Sequence, residues 1–103
     1  MAECILGGSG ALRIVSGSIT VPTDSTEVSV NLDGVPRLLI LMTKGTVASA
    51  AIPTEFLTDG AWHLVNVTSS YWGWVYFCST STGFKVKSYN TNVQSDWAYT
   101  AIM

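Results

Sequence analysis

The sequence predicts an all-β protein: an antiparallel β-sandwich of seven or eight strands, jelly-roll-like, with a flexible Gly-rich N-terminal tail. Three observations predict it. Short apolar runs of β-type residues recur along the chain, the two strongest being Arg37–Thr43 and Tyr71–Cys78. Clusters of Ser, Thr, Asn, Asp and Gly separate these runs at intervals of about 8–12 residues, the spacing of turn-linked strands. No segment carries a sustained helical period, which argues against any βαβ arrangement.

Each element follows from its residues. Residues 1–10 read as a tether, because Gly7, Gly8 and Gly10 carry too much backbone entropy to order themselves unaided; residues 11–103 read as one domain. Ala11–Val21 is β-rich, with Gly17-Ser18 read as a bulge or turn, and Pro22–Ser25 is a turn. From Glu27 to Leu32 the chain alternates, Val28, Val30 and Leu32 on one face and Glu27, Ser29 and Asn31 on the other, as a half-buried strand does. Asp33-Gly34 turns the chain, and Pro36 leads into Arg37–Thr43, apolar on both faces as a central strand covered on two sides would be. Thr46–Leu57 reads as a weak strand or a wandering loop, with one helical turn opened by Pro53-Thr54-Glu55. Asp59-Gly60 turns into a strand over Trp62–Val67, and Ser69-Ser70 separates it from the aromatic strand 71–78. Ser79–Gly83 is a hairpin loop, after which Phe84 and Val86 point inward and Lys85 and Lys87 outward. Asp96–Ile102 is the last strand, whose backbone and aromatics would be open to another chain if it lay at a sheet edge.

At 103 residues the chain can bury roughly two-thirds of its unfolded surface around one core. Only 12% of it is charged, about half the usual share, so the surface is covered by Ser, Thr and Asn or is buried against partners. The net charge of −2 and five scattered basic residues argue against phosphate-dominated nucleic-acid binding; a solvated strand face accounts for the pair Lys85 and Lys87. No apolar stretch approaches the roughly 20 residues of a membrane helix, so no membrane insertion is expected. Met1–Cys4 opens with an acid rather than a basic region and Gly7–Gly10 breaks any apolar stretch, so a chain without signal peptide, made in a cytoplasm, is expected. Cys4 and Cys78 then read as free thiols, and Asn66-Val67-Thr68 as a coincidental glycosylation match.

The inventory for chemistry is thin. His63 is the only histidine, so any Ser-His-Asp or Cys-His arrangement must run through it, and in an alternating strand it reads as structural. One His, two distant Cys and no clustered carboxylates provide no metal site, and no phosphate loop or cofactor motif is present; no cofactor and no catalysis are expected. The aromatics are the candidates. Trp72, Trp74 and Tyr76 fall at i, i+2 and i+4 and would form one stripe in a regular strand. That stripe is either core packing or a platform for a sugar ring or a subunit surface, and Trp97 and Tyr99 carry the same two readings. Asp59, Asn66 and Asp96 would supply polar sugar contacts if the fold brings them together.

The order of these motifs resembles a known group. "SGSITVPTDSTEVSVNL" (Ser16–Leu32) is followed by "VPRLLILMT" (Val35–Thr43), then by "TGFKVKSYN" (Thr82–Asn90) and the terminal "DWAYTAIM" (Asp96–Met103). This is similar to small β-sandwich modules of tail-fibre, baseplate and other virion proteins of tailed bacteriophages and prophages. The Gly-Phe usual there before the Pro-led strand is replaced here by Asp33-Gly34-Val35. The resemblance implies a virion component without catalytic residues, often a symmetric multimer and sometimes a binder of host glycans. The expectation is therefore a non-enzymatic structural or accessory virion protein: a fibre tip, a baseplate or collar component, or a surface decoration. Its partners would be other copies of itself, in a trimer, other virion proteins and host surface glycan. The alternative is a lectin-like carbohydrate-binding module using exposed Trp and Tyr platforms.

Overall fold

The computed structural model describes residues 13–44 and 48–103. The expected tether at residues 1–10 and Cys4 lie outside them. Within the described residues the chain forms eight strands, most of them containing β-branched or aromatic residues: β1 (Ile14–Thr20), β2 (Val28–Asn31), β3 (Leu38–Thr43), β4 (Ala48–Ala51), β5 (His63–Asn66), β6 (Trp74–Thr80), β7 (Gly83–Ser88) and β8 (Asp96–Ile102). Two 3₁₀ turns, Thr54–Leu57 and Tyr71–Gly73, interrupt them. The strands form two antiparallel four-stranded sheets, β1-β8-β3-β4 and β2-β7-β6-β5, packed as a sandwich. The chain crosses between sheets after β1, β2, β4 and β7, so β8 returns from the other layer to sit between β1 and β3.

The core is built from every second residue of each strand, as the pleat requires. Ile19, Trp97, Tyr99, Ala101, Leu39 and Leu41 face inward from the first sheet; Phe84, Val86, Val75, Phe77 and Val65 meet them from the second. Phe84 is the hinge of this packing, stacked on Phe77 at 5.5 Å and set edge-on to Tyr99 at 5.6 Å. Fully burying a side chain such as Phe77, Phe84 or Leu39 contributes about 1.5–3 kcal/mol. Between Ile19, Val21, Leu41, Val75, Val86 and Trp97 no space is left for a water molecule. Ile52 and Leu57, from the segment whose form the sequence left open, and Val93 close the core from the loops.

Three expectations change. Gly17-Ser18 is neither bulge nor turn: the β1–β8 register runs unbroken from Ile14 opposite Ile102 to Thr20 opposite Asp96. Gly17 stands opposite Tyr99, and a Cβ there would meet the Tyr99 ring at 2.7–2.9 Å, so the missing side chain makes room for the ring. The last strand is not at an edge, because β1 and β3 both pair with it. The aromatic strand starts at Trp74 rather than at residue 71, because Gly73 is buried against Thr68 and closes a 3₁₀ turn over Tyr71–Gly73. The hairpin after β6 keeps the expected position: Thr80 pairs with Gly83, where a Cβ would collide with the Val30 carbonyl.

Candidate functional site

The candidate residues separate into different parts of the molecule. Trp97 and Tyr99, 1% and 9% exposed, are core residues, and the Trp97 indole donates to the Gln94 carbonyl. Along β8 the two rings alternate with the outward Ala98 and Thr100, and the pleat turns the rings toward the second sheet, so these two leave the candidate face. Trp72 sits in the 3₁₀ turn, half-buried, with its carbonyl accepting the Gln94 N–H, and so drops out of the i, i+2, i+4 stripe. Trp74 and Tyr76 remain on the outer side of β6, alternating with buried Val75 and Phe77. Of the polar candidates, Asn66 lies opposite Trp74, Asp96 starts β8 on the other sheet, and Asp59 is in the turn before β5. The three do not converge.

What the fold assembles instead is an aromatic and cationic face on the outside of β2-β7-β6-β5. Tyr71 from the 3₁₀ turn meets Trp74 edge-on at 4.7 Å, and Tyr89, just beyond β7, lies 5.4 Å from Trp74, 5.7 Å from Tyr76 and 6.2 Å from Tyr71. Trp74 is anchored by its indole N–H donating to the Thr68 carbonyl at 2.8 Å. The group is open to solvent: Tyr71 is 57% and Tyr89 37% exposed, and Leu64, opposite Tyr76, is 39% exposed. Beside it, the Lys87 ammonium lies 4.3 Å from the Trp62 ring centre and 5.7 Å from that of Tyr76. The Lys85 ammonium lies 5.2 Å from Trp62 and pairs with Glu27 of the neighbouring strand at 3.2 Å. The lysines are thus seated against rings rather than simply solvated, an attraction worth about 0.5–1 kcal/mol at an exposed site. Tyr71, Tyr89 and Trp62 counted among the aromatics of the sequence, but their meeting depends on strand pairing. The period-two set Trp62, Leu64 and Asn66, opposed to Val65, is the signal that puts Trp62 on this side.

The outside of the other sheet is different. By register it carries three rows: Ile14, Ile102 and Leu38; Ser16, Thr100, Ile40 and Ala51; and Ser18, Ala98, Met42 and Ser49. Ile14 is 67% exposed, and Leu38, Ile40, Met42 and Ile102 are half-buried. The apolar outer side of β3, expected to be covered, has no second layer over it within the described residues. Among the described residues, charge enters this face at one end, where Asp96 starts β8 and Lys44 reaches Ser18 at 3.4 Å.

A third cluster holds the 54–63 loop in place. The His63 ring stacks on Phe56 at 3.7 Å with the planes parallel, and its Nε2 lies 2.6 Å from the Asp59 carboxylate. The Ala61 backbone N–H and then His63 hold the Asp59 carboxyl below its ordinary pKa. This is a clasp, with the ring face and Nε2 both engaged. A surface hollow of about 250 Å³ lies nearby, lined by residues that include Val35, Leu57, Ser79 and Ser81. Among the described residues, no three His, Cys, Asp or Glu side chains are grouped to hold a metal, and no helix is long and apolar enough to cross a membrane. Cys78 is a buried free thiol. No protein-family model matches the chain, and neither does any curated protein or solved structure.

Proposed function

We propose that this chain is a non-enzymatic structural or accessory module of a tailed-phage virion, acting by self-assembly. The observation that carries the reading is the outside of β1-β8-β3-β4, where exposed and half-buried aliphatic residues lie among small and hydroxylated ones, with Asp96 and Lys44 at one end. The inward residues already fill the core, so Ile14, Leu38, Ile40, Met42 and Ile102 on the outer side add nothing to it. Exposed aliphatic faces of this kind are what subunit packing covers, and a symmetric oligomer covers the same face on every copy. The resemblance of the motif order to virion β-sandwich modules supports the same reading. Light scattering on the purified protein over a wide concentration range tests it. The expected result is a discrete mass, three copies for a trimer, that does not change with dilution. A monomer at every concentration would sink the self-assembly reading.

A second reading, sugar binding, is favoured by the aromatic face of the opposite sheet. Tyr71 and Tyr89 present ring surfaces to solvent around the half-buried Trp74, and Asn66 lies opposite Trp74 with an amide suited to hydroxyl groups. The two readings use different sides of the sandwich and are compatible in one adhesive virion protein.

A further inference from the structure

We infer that the outer face of β2-β7-β6-β5 is a site for an anionic saccharide, its pyranose faces laid on the tyrosine–tryptophan cluster and its acidic group taken by Lys87. The inference rests on the sugar-binding reading and names the class of sugar.

Lys87 carries the argument. Lys85 is already paired with Glu27, whereas Lys87 has no carboxylate within ion-pair distance among the described residues. Two rings hold its ammonium over the face, so the charge is positioned by packing and available to a ligand. It stands on the same strand as the start of the Tyr89 segment and directly opposite Tyr76, one residue pair away from the ring cluster. A saccharide spanning one ring unit from Trp74 therefore brings its substituent to the lysine. Among the described residues the acid paired on this face is Glu27, just before the edge strand β2 and engaged with Lys85, so the face is locally cationic in a chain of net charge −2.

The geometry favours a sugar over other anions. Two lysines are too few for the phosphate contacts that nucleic-acid binding needs. An acidic peptide strand would draw its affinity from main-chain hydrogen bonds at a sheet edge, whereas Lys87 and the rings lie on the broad side of the sheet. A sugar needs individual apolar ring faces and a few polar points; the exposed rings of Tyr71 and Tyr89, tilted 32° to each other, give the former, and Asn66 and Lys87 the latter. A carboxylate and a sulfate ester would meet the ammonium in the same way.

Tryptophan fluorescence titrations with four probes test this: a galacturonic acid tetrasaccharide, its methyl ester, a heparin tetrasaccharide and a short poly-glutamate. At low salt the acid is expected to bind about tenfold more tightly than its ester, as one charge-assisted contact gives. That preference should shrink as salt is raised. Lys87→Met, which keeps the apolar stem over Trp62, should abolish the preference and leave ester binding intact; Tyr71→Ala should weaken both. Tighter binding of the heparin probe than of the galacturonate, lost on Lys87→Met, would extend the same inference to sulfated saccharides. Equal binding of acid and ester would overturn the inference and leave the sugar reading standing. Binding of poly-glutamate as tight as that of the acid would overturn it in favour of a protein partner. No binding of any saccharide would remove the inference and the sugar reading together, while the assembly proposal would still be judged by its own mass measurement.

Discussion

The two outer faces of this sandwich are built from the same pleat and do opposite things with it. On β1-β8-β3-β4 the outward positions are aliphatic, small or hydroxylated, and none of those named in the register is aromatic. On β2-β7-β6-β5 they are rings and lysines, with Trp62, Trp74 and Tyr76 flanked by Tyr71 and Tyr89. The first face keeps its aliphatic residues beside a few hydroxyls, of which Ser16 and Thr100 face each other at 3.4 Å, so most of its area rewards dry packing against another apolar surface. Rings with cations among them retain electrostatic direction and suit a ligand that has both apolar and acidic parts. The difference teaches that low overall charge does not mean one kind of surface: two of the five cations, Lys85 and Lys87, stand among the rings.

The comparison first needs a baseline from the interior. Trp97→Ala removes a ring that is 1% exposed and is expected to cost about 3–5 kcal/mol, a large share of the stability of a domain of this size. Trp74→Ala, on the outer side, should cost about 2 kcal/mol, through lost contacts with Tyr71 and Tyr89 and the lost bond to Thr68, and should leave the fold intact. Urea unfolding of the two variants checks this. Equal losses would mean that the aromatic face is core in all but position. Gly17→Ala is expected to cost about 1–3 kcal/mol because its methyl must displace the Tyr99 ring, while Ser18→Ala next to it changes stability by less than about 0.5 kcal/mol. A neutral Gly17→Ala would show that Tyr99 can move aside.

These contrasts also mark where the sequence could be read. Alternation from Glu27 to Leu32 and the turn pairs Asp33-Gly34 and Asp59-Gly60 are local signals, and the eight-stranded sandwich follows from their repetition. Gly17 is not local: its meaning depends on Tyr99, far along the chain, so it reads as a break until β8 is placed beside β1. Trp97 and Tyr99 carry two readings for the same reason, since only the packing of the two sheets decides which face of β8 is inside. Trp72 failed differently. A period of two cannot pass through a 3₁₀ turn, and Gly73 after Ser69-Ser70 was the residue that could have warned of it. The aromatic face draws on β5, β6, β7 and the turn before β6, so composition revealed its ingredients but not their meeting.

A charge placed on each outer face separates their roles. Ile40→Lys lies in the middle row of the aliphatic face and is expected to convert an oligomer to a monomer, with stability of the subunit itself changed by less than about 1 kcal/mol. Tyr76→Lys, at the matching depth of the aromatic face, should leave the mass unchanged and alter saccharide binding. Light scattering on both variants is the measurement. If Tyr76→Lys dissociates the particle and Ile40→Lys does not, the roles of the two faces are reversed.

The smallest expected effect lies at the edge of the aromatic sheet, where the Asp59–His63–Phe56 clasp fastens the 54–63 loop to β5. The Asp59 carboxyl is held below its ordinary pKa, first by the Ala61 N–H and then by His63. A carboxylate whose folded pKa is depressed stabilises the fold above its unfolded value of about 4, and that contribution disappears as the pH falls through the lower folded value. Melting temperatures followed from pH 6 downward should therefore show the parent more stable than Asp59→Asn near neutrality. The gap between the two should close below about pH 4. Asp24, whose carboxyl is lowered chiefly by the Thr26 hydroxyl, remains in both proteins and leaves a common residual slope in that window. Two curves that stay parallel to the lowest pH would show that the clasp holds the loop through the Phe56 stack alone, and that the edge of the aromatic sheet owes nothing to the charge of Asp59.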